Sequence, residues 1–502
     1  MTASTPHHAV PIESPRSSRT ALRAAILPLS AAAVAVFAAI GAMTAAEAPR
    51  LAIVAAGGLA LVLIAILRPS AGVVAVAIII YSNAAVVAVN FHGAPAIVAA
   101  AVPMLLLIPA LYNVIRRSLV LTPTMPWLLA LLLAHMVSAL LSRDIRESTE
   151  SIIGFGVEGI FLFILVVNSV RHHELLRMTI WALVLTGAAV GALSGFQQLT
   201  GTYYTSYLGF AQVGDGAVST EAAGGEEVTQ PRLAGPIGEK NYYAQYLLML
   251  VPLGGYLVVS ERRRLLRAAA ALAIALALVG ISLTFSRGAA VGLAVVILAL
   301  GLLGYIRLRH LALVAMAIGL LLVLAPGYVG RVARIAEVLT SDEEADAAVA
   351  GRVGENTAAL LAFFDHPITG VGPGQFRLHY QQYARILGAD QHTGTRRAHS
   401  LYLNTAAELG VVGATAMLGV LASTIRALWR SRRQWLATDP DRARLPTAFL
   451  LSLISFLATA AFLDLAYARY FWLMLGLAAT AAHIGVAESW TLQAVRAPAR
   501  QR

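Results

Sequence analysis

Cysteine is absent from the 502 residues, so neither disulfides nor thiolate metal sites are available. Charge is scarce too: Asp, Glu, Lys and Arg make up 13% of the chain, while hydrophobic residues make up 58%. A soluble protein of this length needs far more charge to cover its surface. The mean hydropathy of +0.74 therefore points to a polytopic membrane protein. Also missing are a GxxxxGK[ST] phosphate loop, a GxGxxG turn after a strand and an HExxH pair. The net charge of +11 suits nucleic acid only until its distribution is read.

Apolar runs of about 20 residues, the length that crosses a bilayer, mark fourteen candidate spans. They lie near 25–45, 51–67, 71–90, 95–115, 126–142, 151–170, 178–199, 242–260, 267–284, 288–305, 310–326, 402–425, 446–464 and 469–487. With the N-terminus inside, most Lys and Arg fall on the cytoplasmic side, as the positive-inside rule requires. The inner clusters are Arg16, Arg19 and Arg23; Arg116 and Arg117; Arg262 to Arg264 with Arg267; Arg307 and Arg309; the run from Arg426 to Arg444; and the C-terminal tail. The expected order is a cytoplasmic tail (1–24), an N-terminal transmembrane half (25–200), an outer loop (201–241), core spans (242–326), a large outer lid (327–401), C-terminal spans (402–487) and a cytoplasmic tail (488–502). The positive charge is thus a topology signal, with no nucleic-acid partner implied.

Both long loops fall outside the membrane on one side. The first carries YYTSYLGF, the Gly/Glu-rich GDGAVSTEAAGGEEV and then PRLAGPIGEKNYY. In the second, EEADAAVAGRVGENTAALLAFFDH reads as helical and HPITGVGPGQF breaks at Pro367 into a glycine-rich turn. FRLHYQQYARIL resumes as an amphipathic helix. GVGPGQF has no following lysine and reads as a turn before it reads as a phosphate cradle. The acidic run 341–346 reads as a solvated helix start before it reads as a cation site. No metal or cofactor is expected.

Three outer positions stand out: Arg232 before span eight, Arg287 in the short turn FSRGAA, and His399 before span twelve. Read alone, each has a plain explanation: a solvated charge, a snorkelling arginine, a structural imidazole. Together they fit one chemistry. Two guanidiniums can clamp a pyrophosphate through charge-assisted hydrogen bonds and stabilise it as it departs. A neutral His beside them can take the proton of an attacking hydroxyl, and nearby arginines favour that neutral form. After His399, Ala406, Gly410 and Ala414 repeat every four residues, a stripe expected to admit a neighbouring helix, with Gly413 extending it. Asn404 and Glu408 lie one turn apart and can hydrogen-bond. A continuous helix from His399 puts Glu408 on the opposite face, so Glu408 is a weak orienter of the imidazole, and Asp464 is another candidate.

These landmarks resemble the O-antigen ligase family of bacterial envelope glycosyltransferases. The family signature of His, a small polar residue, nine residues, Gly, two residues and Gly is met by His399, Ser400, Gly410 and Gly413, with Thr415 beyond. Arg232, Gly235 and Asn241, the turn Ser286, Arg287 and Gly288, and the loop Pro367, Gly370, Gly372 and Gly374 follow the family order over roughly 230–420. The resemblance implies an all-α, GT-C-like membrane protein of about 12 to 14 transmembrane helices with a helical extracytoplasmic lid. It also implies metal-independent transfer of a glycan from undecaprenyl pyrophosphate to a glycan, lipid or protein acceptor at the outer face of the bacterial inner membrane. His399 would be the base, Arg232 and Arg287 the donor contacts, and Arg352 a further one.

Two other functions compete. A polymerase sharing this domain would lengthen the lipid-linked glycan instead of ligating it. A polysaccharide flippase would keep ionisable residues at mid-membrane and often show related halves. The spans are nearly free of charge at their middles and show no repeat, which favours an enzyme.

Overall fold

The computed structural model describes residues 49–221, 227–305, 347–387, 396–465 and 468–496. The spans expected at 25–45 and 310–326 lie outside the described residues, as do the N-terminal arginines, Arg307, Arg309, the acidic run 341–346 and the last residues of the C-terminal tail.

The chain is an all-α polytopic membrane protein. Among the described residues, six helical stretches are long and apolar enough to cross a bilayer: Ala96–Arg116, Ile145–Ser169, His173–Thr200, Lys240–Ser260, Arg264–Ser282 and Leu401–Thr438. Shorter apolar helices lie at Ala56–Leu67, Met125–Ala139, Arg287–Leu302 and Arg444–Thr459. The span expected at 71–90 is two helices, Pro69–Tyr81 and Ala84–His92, bent by 53°. Asn83 makes the corner in a left-handed conformation (φ 57°), and its side-chain amide donates to the Pro236 carbonyl at 2.9 Å.

Why these helices suit lipid is visible in Arg264–Ser282. Its inward face is Ala270, Ala273, Ala277 and Gly280, small residues that let the neighbouring helices His173–Thr200 and Lys240–Ser260 approach. Leu265, Leu272 and Val279, seven residues apart, point outward and are exposed. In water this arrangement would be inverted; in a bilayer the large apolar groups face a solvent as apolar as themselves.

Four helices that begin at one end of the bundle begin on a capping side chain. Asp144 accepts from the amides of Arg146 and Glu147, and Glu239 from those of Asn241 and Tyr242. Ser286 accepts from Ala289 and Ser400 from Leu403. Each cap satisfies amides that a helix start otherwise leaves unpaired. The loops entering these helices touch one another. The Leu233 amide donates to the Leu283 carbonyl at 3.0 Å, and the Leu401 amide to the carbonyls of Ala460 (2.9 Å) and Leu463 (2.8 Å). Gln375 of the lid bridges to the Asp144 backbone in both directions.

The first long loop is not irregular throughout. Strands β1 (Gln212–Glu221) and β2 (Glu227–Gly235) form an antiparallel hairpin, with Gly214 opposite Arg232 and a bulge between Gly214 and Ala217. The lid contributes α1 (Ala347–Asp365) and α2 (Phe376–Ile386). These two pack on the helix that follows, α3 (Leu401–Thr438), around a small core of Ala358, Ala359, Ala362, Phe376, Tyr380 and Ala407. That core is separate from the main transmembrane one.

Candidate active site

His399 sits just outside α3, whose first turn is pinned by the Ser400 cap and the two carbonyls that hold the Leu401 amide. Its Nε2 lies 3.1 Å from Oε2 of Glu355, on α1. The contact has ion-pair distance but not hydrogen-bond alignment, since that oxygen has no hydrogen-bond donor among the described residues. Glu355 is buried, and its other oxygen accepts from Arg396 at 2.9 Å. Nδ1 of His399 is enclosed and has no hydrogen-bond partner among the described residues.

Neither acid weighed as an orienter of the imidazole reaches it, and Glu408 turns away as its helical position implies. Asp464 accepts from the Tyr242 hydroxyl and, at 3.5 Å, from Arg397. Glu408 faces the amides of Gly374 and Phe376 and the side chain of Asn404, one turn back. The acid that does reach His399, Glu355, looks in sequence like part of a solvated helix face. Its signal is the RVGENTAALL pattern, which puts Glu355 three residues beyond Arg352 and so on the same helix face.

Arg232, on β2, donates from Nε to the Thr284 carbonyl at 2.9 Å and from Nη2 to the Phe285 carbonyl at 3.3 Å. It also meets Asn241 at 3.4 Å. The hairpin thereby brings Arg232 onto the turn that ends in Arg287, where Phe285 takes a left-handed conformation (φ 51°). Lys240 interacts electrostatically with Arg232, Glu239 and Arg352, and His399 with Glu355, Arg352, Glu239 and Arg396. Arg232, Glu239, Lys240, Arg352, Glu355, Arg396 and His399 are therefore one charged neighbourhood, although they span 168 residues of sequence. Burial holds the His399 imidazole below its usual pKa; Glu355 opposes this, and Arg352 and Arg396 reinforce it. The expected arginine effect is present, but desolvation is the larger cause. Burial also raises the Glu239 carboxyl, against the pull of Lys240 and Arg232.

Gly410 does not serve the helix-packing stripe expected of it. It adopts φ 62° and ψ −164° inside α3, and a Cβ there would fall 2.2 Å from the Ile368 carbonyl oxygen. At Gly370 (φ 72°) a Cβ would fall 2.2 Å from the Glu408 carbonyl carbon. The two glycines mark where the Pro367 loop and α3 meet backbone to backbone. The Val411 and Val412 amides turn to the carbonyls of Pro367 (2.8 Å) and Ile368 (3.4 Å). The carbonyls of Ala407 and Glu408, which those amides would take in an unbroken helix, accept from Val371 (2.9 Å) and Gly372 (3.0 Å). Two helical bonds are exchanged for four between segments. The Ser138 hydroxyl adds a bond to the Glu408 carbonyl at 2.8 Å. Gly413 meets the Leu409 side chain of its own helix.

On the other side of Arg396–Leu401 lies a cavity of about 390 Å³. Arg397, Asn404, Glu408 and Asp464 line it, with Glu147, Glu158 and Arg377 opposite and Phe155 and Trp472 in its wall. His399, Arg232, Arg287 and Arg352 do not line it.

Residues 270–418 match the family described as O-antigen ligase. The chain carries an O-antigen ligase domain. The domain takes in Arg287, Arg352, Glu355, the glycine loop, His399 and the Gly410 break; Arg232, Glu239 and the Glu147, Glu158 and Asp464 walls of the cavity fall outside it. A comparison with curated proteins gives no match.

Proposed function

We propose that this O-antigen ligase domain protein transfers a glycan from a polyprenyl-pyrophosphate donor to an acceptor hydroxyl, in a charged site at the extracytoplasmic face of the bacterial inner membrane. The observation that carries this reading is His399, set against the buried Glu355 and beside Arg352 and Arg396, with Arg232 next to it through Glu239 and Lys240. Glu355, 3.1 Å from Nε2, stabilises the positive charge that the imidazole gains when it acts as base. As the acceptor oxygen bonds to the anomeric carbon, its proton passes to the His399 imidazole. The bond from that carbon to the phosphate oxygen breaks, and polyprenyl pyrophosphate leaves with the bonding pair. Guanidiniums remain charged throughout and stabilise the leaving pyrophosphate. Arg287 belongs to this set because the turn that carries it is tied to Arg232.

Replacing His399 with Ala should leave the protein folded in the membrane, abolish glycan transfer and cause the lipid-linked donor to accumulate. Surface glycan unchanged in that variant would overturn the assignment. The same chemistry lengthens a glycan when the acceptor is another lipid-linked chain. Product analysis separates the two readings: ligation puts the glycan on a new acceptor, and polymerisation gives a longer chain still on the lipid.

A further inference from the structure

The cavity beside His399 differs from the His399 site in charge and in shape. Of its five acidic side chains, Glu147, Glu150, Glu158 and Asp464 are each paired with an arginine, and the two arginines in its lining, Arg377 and Arg397, are engaged with Glu147 and Asp464, an arrangement that disfavours pyrophosphate. The Phe155 ring forms part of its wall, stacked on His135 (centroids 4.5 Å, 13° between planes) and tilted against Trp472 at 5.4 Å. A volume of about 390 Å³ lies within the range of small-molecule sites, which join apolar and aromatic walls to a few fixed polar groups.

Those polar groups are mainly acceptors. Carboxylates only accept hydrogen bonds, and Oδ1 of Asn404 is buried with no donor among the described residues. A ligand that fits must bring donors on a ring whose hydrocarbon face can lie on an aromatic surface. That is the chemistry of a pyranose.

Two backbone irregularities build the wall. The stretch Phe155–Phe161 is a π-helix, and it presents both Phe155 and Glu158 to the cavity. The Gly410 break lies two residues beyond Glu408. Such irregularities concentrate at functional sites. Arg397 lies in the wall two residues before His399, so the cavity and the imidazole border the same short stretch of chain.

We propose that this cavity binds an uncharged or amine-bearing sugar ring of the glycan and presents it to the His399 site. The proposal rests on the glycosyl-transfer reading for its role and on the cavity alone for its ligand. Saturation-transfer NMR on the full chain in nanodiscs tests it, with methyl glucoside, methyl glucosaminide and methyl glucuronide as probes. The glucoside and glucosaminide should receive saturation and the glucuronide much less.

Asn404→Leu should weaken the signal by about five- to thirty-fold, the effect of a lost buried hydrogen bond. Asn404→Gln keeps the amide that faces Glu408 and guards against misfolding; it should retain binding of both sugars. His399→Ala should bind both sugars as wild type does. Equal signals from wild type and Asn404→Leu, or preference for the glucuronide, would overturn the proposal. If His399→Ala loses transfer while no sugar binds, this inference falls and the catalytic reading stands. If sugars bind and His399→Ala still transfers, the catalytic reading falls and the cavity site stands.

Discussion

The short stretch Arg396–Leu401 separates two unlike environments. On one side, Arg396 and His399 face a buried carboxylate among cations from the hairpin, the Lys240 helix start and the lid. On the other, Arg397 and Leu401 face a cavity of paired carboxylates and aromatic walls. The difference shows that one connection borders two sites by presenting different residues to each. It also explains why the chain needs a rigid start to α3.

The largest disturbance should come from the feature both sides share. Gly410→Val places a branched side chain at φ 62° and against the Ile368 carbonyl. The backbone conformation alone costs about 1–2 kcal/mol, and the contact requires the loop to move. We expect a lowered Tm in detergent and loss of transfer; a variant with wild-type Tm and activity would show that the loop and helix are not locked.

Breaking only the histidine side is the next test. Glu355→Gln should reduce transfer by about 10²-fold, less than the ~10⁴-fold loss at a buried triad carboxylate, and should leave sugar binding intact. It should also displace the pH profile. The base must be neutral, so transfer falls as pH drops through the His399 pKa. Glu355 holds that pKa up against burial. Its removal lowers the pKa, and the acidic limb should move to lower pH.

A smaller effect of opposite sign sharpens the same comparison. Arg396 lowers the His399 pKa, so Arg396→Gln should move the acidic limb to higher pH, with a rate loss below that of Glu355→Gln. Equal displacement of the limb in both variants would contradict the electrostatic arrangement. The smallest effect should follow Arg146→Ala, which removes an exposed pairing with Glu150 at 3.1 Å. Surface pairs of this kind contribute little, and neither Tm nor transfer should change measurably.

The membrane body was legible because its signal is repetitive: apolar runs long enough to span, ended by charge. His399 and the arginines stood out for another reason, since their motifs are local and keep their order along the chain. What escaped depends on contacts across the fold. Glu355 lies in an amphipathic helix among Arg352 and Asn356, where an acid ordinarily meets water, and only docking of the lid buries it. The hairpin was hidden by its Gly/Glu-rich centre, although Val218, Thr220, Val228 and Thr229 flank a Gly-Gly pair with residues that favour strands. Gly410 was read as a packing surface because a periodic small residue cannot reveal its own φ angle. The cavity was not visible at all, since its walls come from five separated stretches of the chain.

The exchanged bonds at Gly410 bear on how the protein is made. An α-helix entering lipid normally carries its own hydrogen bonds, which is why it can insert alone. This one does not, because the carbonyls of Ala407 and Glu408 and the amides of Val411 and Val412 are completed by residues 367–372. Those residues leave the ribosome first and must be waiting on the correct side when α3 arrives. We expect stable insertion of this helix to depend on residues 367–372.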